Sequence, residues 1–134
     1  MLIKKNKSRG TRAEYEVKKV LLENGFFVFN KRVSQRGPDI MAIKNEIILI
    51  MEVKNTKSSS VLIKNYQIQS LWDTAAEISK KTILYPKIIL AVKFSSKKTG
   101  WTFISIENEH SDNKVITKEQ ENLLELSKGL KSFI

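Results

Sequence analysis

The sequence predicts an α/β fold: one domain, with a central, mostly mixed sheet of about five strands flanked by helices in the order αβββαββα. Three observations carry this expectation. The 134 residues suit one core rather than two. Apolar residues recur at helical spacing near the start, middle and end of the chain. Between those segments lie short β-branched and aromatic runs bounded by turn residues, the signature of strands alternating with helices.

The elements follow in order. Ala13, Val17, Val20, Leu21 and Asn24 share one helical face, and Asn24-Gly25 is a natural stop, so a first helix is expected over 9–24. Residues 1–8 are then left as a basic and mobile arm. Residues 26–33 are aromatic and β-branched and read as a strand, ended by the Ser34-Gln35-Arg36-Gly37-Pro38 turn. Residues 39–44 and 47–54 form two apolar strands joined by Lys44-Asn45-Glu46 as a hairpin. Ser58-Ser59-Ser60 reads as a polar loop. Ile68, Leu71, Trp72, Ala75 and Ser79 define the packing face of a second helix over 64–81. Pro86 bars its continuation. Residues 87–94 are almost continuously apolar, as in a strand buried on both faces. A turn over 95–100 leads to a strand over 101–106. Thr117-Lys118-Glu119-Gln120 has capping-box spacing and opens a last helix carrying Leu123, Leu124, Leu126 and Leu130.

Composition narrows the chemistry. There is no cysteine, which excludes disulfides, thiolate metal sites and cysteine nucleophiles, and the single His110 excludes multi-histidine metal sites. The longest apolar runs, 47–51 and 88–92, fall far short of the roughly 20 residues that span a bilayer. The chain opens without a signal-peptide core, so a cytoplasmic protein with no membrane role is expected. Lys and Arg number 24 against 14 Asp and Glu, a net charge of +10 that favours a polyanionic partner. The excess is lopsided: residues 1–67 carry 14 basic and 6 acidic side chains, and residues 68–134 carry 10 and 8. Lys4, Lys5, Lys7, Arg9 and Arg12 all precede the first acid, Glu14, and are the first candidates for DNA contact.

Three charged residues sit at the ends of apolar strands. Asp39 opens one strand after a Gly-Pro turn, while Glu52 and Lys54 lie two apart on the next and so point to the same side. A hairpin pairing the start of one strand with the end of the next brings Asp39 beside Glu52. Two such carboxylates repel unless a cation lies between them. Oxygen donors of this kind suit Mg²⁺, with Mn²⁺ able to substitute. Such a site serves phosphodiester hydrolysis: the cation activates water and offsets phosphoryl charge, and Lys54 adds a fixed positive charge. Glu14 admits two readings, since Thr11-x-x-Glu14 is a capping box and Glu14 also borders the apolar helix face. Phe26, Phe27, Phe29, Trp72, Trp101 and Phe103 are read as core or dimer contacts rather than base-stacking groups.

Taken together, Arg9-Gly10-x-x-x-Glu14, Gly25-Phe26, Ser34, Pro38-Asp39-Ile40, Glu52-Val53-Lys54, Ala91-Val92-Lys93-Phe94 and Gly100-Trp101-x-Phe103-Ile104 resemble the archaeal-type Holliday junction resolvases. That family belongs to the PD-(D/E)-x-K, restriction-endonuclease-like nucleases, and the resemblance covers residues 8–106. It implies a homodimer that makes paired cuts in a four-way DNA junction during recombination or repair, in an archaeal cell or one infected by an archaeal virus. It implies Glu14, Asp39, Glu52, Lys54 and Ser34 as catalytic residues, with Glu14, Asp39, Glu52 and the Val53 carbonyl as metal ligands. Ser34 falls in the loop before Pro-Asp, which is shorter than in many relatives. Arg32 and Arg36 flank it as DNA contacts, and Gln67 matches a position near the site in some relatives. Two alternatives remain: a related nuclease acting on nicked, flapped or damaged duplex, and a basic DNA-binding module without catalysis. The homodimer has a second argument. The strand over 101–106 is apolar on both faces, and its late place in the order suggests a sheet edge that a partner would cover.

Overall fold

The computed structural model describes residues 2–30, 37–94, 99–107, 112–118 and 123–134, with side chains of the first helix described from Arg12 onward. The predicted α/β class holds. The elements are α1 (Leu2–Glu23), β1 (Phe27–Asn30), β2 (Ile40–Lys44), β3 (Ile47–Asn55), β4 (Ser60–Ile63), α2 (Asn65–Lys81), β5 (Tyr85–Lys93), β6 (Trp101–Ile106), β7 (Lys114–Thr117) and α3 (Leu126–Lys131). Five strands form a mixed sheet in the order β1-β2-β3-β5-β6, and β4 and β7 form a separate two-stranded ribbon. Only β3 and β5 pair in parallel; the other pairs of both sheets are antiparallel.

The central pair explains the sheet's position. β3 and β5 are each apolar on both faces, so each side of the sheet needs cover. Leu49, Met51, Val53, Ile89 and Ala91 face α1, packing on Ala13, Val17 and Leu21. Ile50, Ile88, Leu90 and Val92 face α2, packing on Ile68, Leu71 and Ala75. Residues 49–53 therefore alternate strictly between two cores, which fixes the register.

α1 ends as expected. Phe26 N–H donates to Leu21 O and Gly25 N–H to Leu22 O, each at 3.1 Å, with Gly25 at φ +84°. This is a Schellman stop, with Phe26 and Leu21 meeting in the core beneath it. Lys44 Nζ donates to Asn24 O at 2.8 Å and sits 5.6 Å from the Phe26 ring, tying the β2–β3 turn to the helix end. Asn45 makes that turn at φ 55°, a conformation asparagine tolerates.

Four expectations are corrected. α1 begins at Leu2, so the backbone of residues 2–8 is helical rather than a separate arm; lysine is a good helix former and nothing before Gly10 breaks the run. The Ser58-Ser59-Ser60 segment leads into a strand, β4, rather than remaining loop throughout. Thr117 ends β7 and opens no helix; α3 is only six residues long and starts at Leu126. Residues 119–122, the rest of the expected capping box, lie outside the described residues. Finally, β6 is an edge strand, as expected, but both its faces are covered within the chain. Phe103 packs on the core that holds Leu126, Phe133 and buried Leu130 on one side, and Ile104 and Leu123 both pack on the α2-side core on the other. Leu124 also exchanges backbone hydrogen bonds with Trp101, at 3.1 and 2.8 Å. The edge-strand argument for a partner subunit therefore fails.

Candidate active site

The β2–β3 hairpin builds the site. Ile40 pairs with Met51, so one step further Asp39 stands opposite Glu52. Ile40 and Ala42 face α1, and Asp39 lies in the bend just before them. Ile50 faces α2, which puts Glu52 and Lys54 on that same side. All three charged groups thus gather at one end of the sheet. Asp39 is 6% exposed, a buried carboxylate. Its Oδ2 accepts a 2.8 Å hydrogen bond from Val53 N–H, which fixes its orientation against β3. Lys54 Nζ lies 3.5 Å from Glu52 Oε1.

Glu14 comes from the other layer. α1 starts nine residues before Thr11, so the capping-box role has no helix start to serve. The half-buried Glu14 follows the buried Ala13. Among the described residues, no three His, Cys, Asp or Glu side chains assemble as a metal-holding group. The hairpin register brings Asp39 and Glu52 together, and Glu14 is supplied by α1.

Lys93 and Glu16 were missed by sequence reasoning. Lys93 Nζ donates to both Glu16 oxygens, at 2.9 and 3.1 Å, and lies 5.7 Å from the Trp101 ring. Lys93 pairs with Asn55 at the end of β3. This contact places Glu16 of α1 at the same end of the sheet as Asp39, so the helix residues before it continue past that end. The contact joins residues 77 apart in sequence, so no local spacing announces it, although Lys93 stands within the Ala91-Val92-Lys93-Phe94 motif. Gln67, by contrast, is structural: its Oε1 accepts the Lys64 N–H at 3.0 Å at the start of α2. Trp101 is fully buried and Phe26 nearly so, in keeping with core roles, whereas Phe27 is 71% exposed.

Arg12 is exposed. Lys4, Lys5, Lys7 and Arg9 sit on α1 backbone whose side chains are not described, and Arg32, Ser34, Arg36 and His110 lie outside the described residues. A cavity of about 930 Å³ lies between the end of α2 and the starting end of β5, with Ile83, Tyr85 and Glu107 in its wall. It is at the opposite end of the sheet from Asp39 and forms no part of the site. No described helix is long and apolar enough to cross a membrane.

An Asp–Glu–Lys set on a two-strand hairpin, in a mixed sheet with helices on both faces, defines an α/β nuclease domain of the PD-(D/E)-x-K type. The family model for the archaeal Holliday junction resolvase, Hjc, matches residues 5–133. The chain belongs to that family. It is similar to the crossover junction endodeoxyribonuclease of Sulfolobus islandicus rod-shaped virus 1, with 38% identity over 63 residues, 44% of this chain and 52% of that protein. The chain thus spans about half the length of that viral relative. It is 30% identical over 98 residues to the crossover junction endodeoxyribonuclease Hjc of Sulfurisphaera tokodaii, covering 66% of this chain and 68% of that one. A solved structure of Archaeoglobus fulgidus Hjc, a Holliday junction resolvase, shares the fold at TM-score 0.63 and 21% identity, over 85% of this chain and 96% of that chain. Resolvases of this family depend on divalent metal in general.

Proposed function

We propose that this protein is a divalent-metal-dependent endonuclease that resolves four-way DNA junctions by paired phosphodiester cleavage. The observation that carries this reading is the hairpin register, which sets Asp39 opposite Glu52 with Lys54 on the same face as Glu52. Family membership supplies the substrate class.

The donor set fits Mg²⁺, with Mn²⁺ as a substitute. Asp39, Glu52 and the Val53 carbonyl are all hard oxygen donors, and Mg²⁺ is typically held by one or two carboxylates together with substrate phosphate. When bound there, the cation supplies a water of lowered pKa and neutralises charge on the phosphoryl group. The remaining work falls to the chain. Val53 N–H orients Asp39, so the carboxylate need not reorganise on binding. Lys54 sits beside Glu52 and offers its ammonium to the non-bridging oxygens as water adds to phosphorus and the P–O bond to the departing sugar oxygen breaks. Glu14 approaches from α1 and completes the acidic set as a third carboxylate for the cation. Ser34, Arg32 and Arg36, before the Pro38-Asp39 turn, engage DNA next to the scissile bond. Lys4, Lys5, Lys7, Arg9 and Arg12 extend the basic surface along α1.

The functional unit is a homodimer, because productive resolution needs two symmetry-related cuts. Its support comes from the sheet face beside the site. Phe27 stands opposite Ile43 and Phe29 opposite Met41, on the side of the sheet away from α1. α2 covers β3 and β5 and leaves these four residues half-exposed or exposed. A second copy would cover that apolar strip.

Cleavage in Mg²⁺ of a four-way junction against linear duplex of the same sequence tests the function. Paired cuts in the junction, with the duplex largely intact, are expected. Equal cutting of both would indicate a nuclease for another DNA form, and binding without cutting would indicate a DNA-binding module.

A further inference from the structure

The β4–β7 ribbon is used by nothing above. It pairs Ser60 with Thr117, Val61 with Ile116, Leu62 with Val115 and Ile63 with Lys114. Its inner face is core: Val61, Ile63 and Ile116 pack beneath α2 and β5. Its outer face carries Leu62 and Val115 directly opposite each other, 49% and 59% exposed. Around them Lys57, Lys64 and Lys118 are exposed. The only described acid in the segments 56–67 and 112–118 is Asp112.

The ribbon is also fixed relative to the candidate site. Thr56 N–H donates to Lys93 O at 2.9 Å, and only residues 56–59 separate the end of β3 from β4. Lys118 N–H donates to Ser59 O at 3.0 Å, so Lys118 lies at the ribbon end nearest Lys54. At the other end, Asn65 N–H donates to Asn113 Oδ1 at 2.7 Å and ties β7 to the start of α2. A strand pair with an inward apolar face and an outward apolar pair between lysines is suited to a surface that is anionic and partly apolar. The phosphodeoxyribose backbone is such a surface, with phosphates between sugar rings.

We propose that the outer face of the β4–β7 ribbon is a second DNA contact, in which Lys57, Lys64 and Lys118 hold phosphates of a duplex arm and the Leu62–Val115 pair packs on its sugar rings. This rests on the junction-nuclease reading and deepens it. α1 and the ribbon then flank the carboxylates from opposite layers, gripping DNA on both sides of the cut.

The test measures binding of a four-way junction across a salt series, without metal, in the Asp39→Asn protein. One variant combines Lys57→Ala, Lys64→Ala and Lys118→Ala; the other combines Leu62→Thr and Val115→Thr, which keep strand propensity. Each phosphate contact contributes about −0.9 to the slope of log K against log salt for duplex DNA. The lysine variant should flatten the slope by about 2–3 and weaken binding about tenfold or more. The threonine variant should weaken binding about threefold, at unchanged slope, because sugar packing releases no counterions. Circular dichroism confirms that both remain folded. An unchanged slope and affinity in the folded lysine variant would overturn the proposal, as would unchanged affinity in the threonine variant. Failure of the nuclease reading looks different: the wild-type protein would bind through the ribbon yet leave the junction uncut in Mg²⁺.

Discussion

Asp39→Asn keeps a side-chain oxygen for the Val53 N–H bond while removing the charge, so it separates chemistry from folding. Asp39→Asn and Glu52→Gln should each cut a junction at least about 10²-fold more slowly while binding it normally, a typical effect of losing one transition-state stabiliser. Lys54→Ala should behave alike. Single-turnover cleavage beside a gel-shift assay checks all three; near wild-type cutting by either carboxylate variant defeats the site assignment. Glu14→Gln should also lose rate per folded molecule, since Glu14 has no helix start to cap; a variant that loses only thermal stability would return Glu14 to a structural role. Glu16→Gln tests the contact with Lys93. Lys93 is 12% exposed at its side chain and Glu16 34%, so the pair is partly screened, and its loss should cost about 1–2 kcal/mol. Urea denaturation measures it.

Helix α1 is the element whose extent matters most for DNA binding. Its Glu16 lies at the Asp39 end of the sheet, and residues 2–12 continue the helix by about 16 Å at 1.5 Å per residue. Changing Lys4, Lys5, Lys7, Arg9 and Arg12 together to alanine preserves helix propensity. It should flatten the salt slope of binding by up to about 4–5 if each side chain meets one phosphate; an unchanged slope would make α1 a bystander. At the other end of the chain, a Cβ on Gly129 would lie 2.5 Å from the Phe103 ring. Phe103 in turn stacks on Trp101 at 5.9 Å and 12°. Gly129→Ala should therefore destabilise by about 1–3 kcal/mol through overpacking, lowering the melting temperature by several degrees. Nothing in the sequence around Ser127-Lys128-Gly129 signals that contact. What was legible had strong periodicity behind it: the Asn24-Gly25 stop, the β2–β3 hairpin and the doubly apolar β5. The β2–β3 register, and with it Asp39 beside Glu52, followed from matching a strand start to a strand end. What was not legible depended on distant partners. β4 and β7 are four residues each and exist by pairing across more than fifty residues of sequence. Ser8, Thr11 and Thr117 all imitate helix starts, but the first two lie inside α1 and the third in β7.

For the whole molecule, the proposed dimer needs an apolar surface that the fold leaves uncovered. The strand β6 was the sequence's candidate, and α3 with Leu123 and Leu124 already covers it. An uncovered apolar surface beside the site is the α2 side of β1 and β2, where Phe27, Phe29, Met41 and Ile43 form two adjacent rows. Phe27 is 71% exposed, a large aromatic left in water on a strand at the sheet edge. Burying such a side chain gains roughly 1.5–3 kcal/mol. Phe27 and Ile43 are also four residues along the strand from Asp39, about 13 Å at 3.3 Å per residue. A copy docked over these rows thus leaves the carboxylate end open to DNA. Light scattering or sedimentation at micromolar protein and moderate salt should give twice the 15.4 kDa chain mass. Phe27→Asp, and independently Ile43→Asp, should shift the protein to monomer, because an unpaired carboxylate would be buried in the contact. In such monomers single-strand nicks should replace paired cuts, with each Asp39 site still active. A wild-type monomer that makes both cuts in one binding event would defeat the dimer and the symmetry argument beneath it. A Phe27→Asp dimer of normal affinity would move the interface elsewhere on the surface.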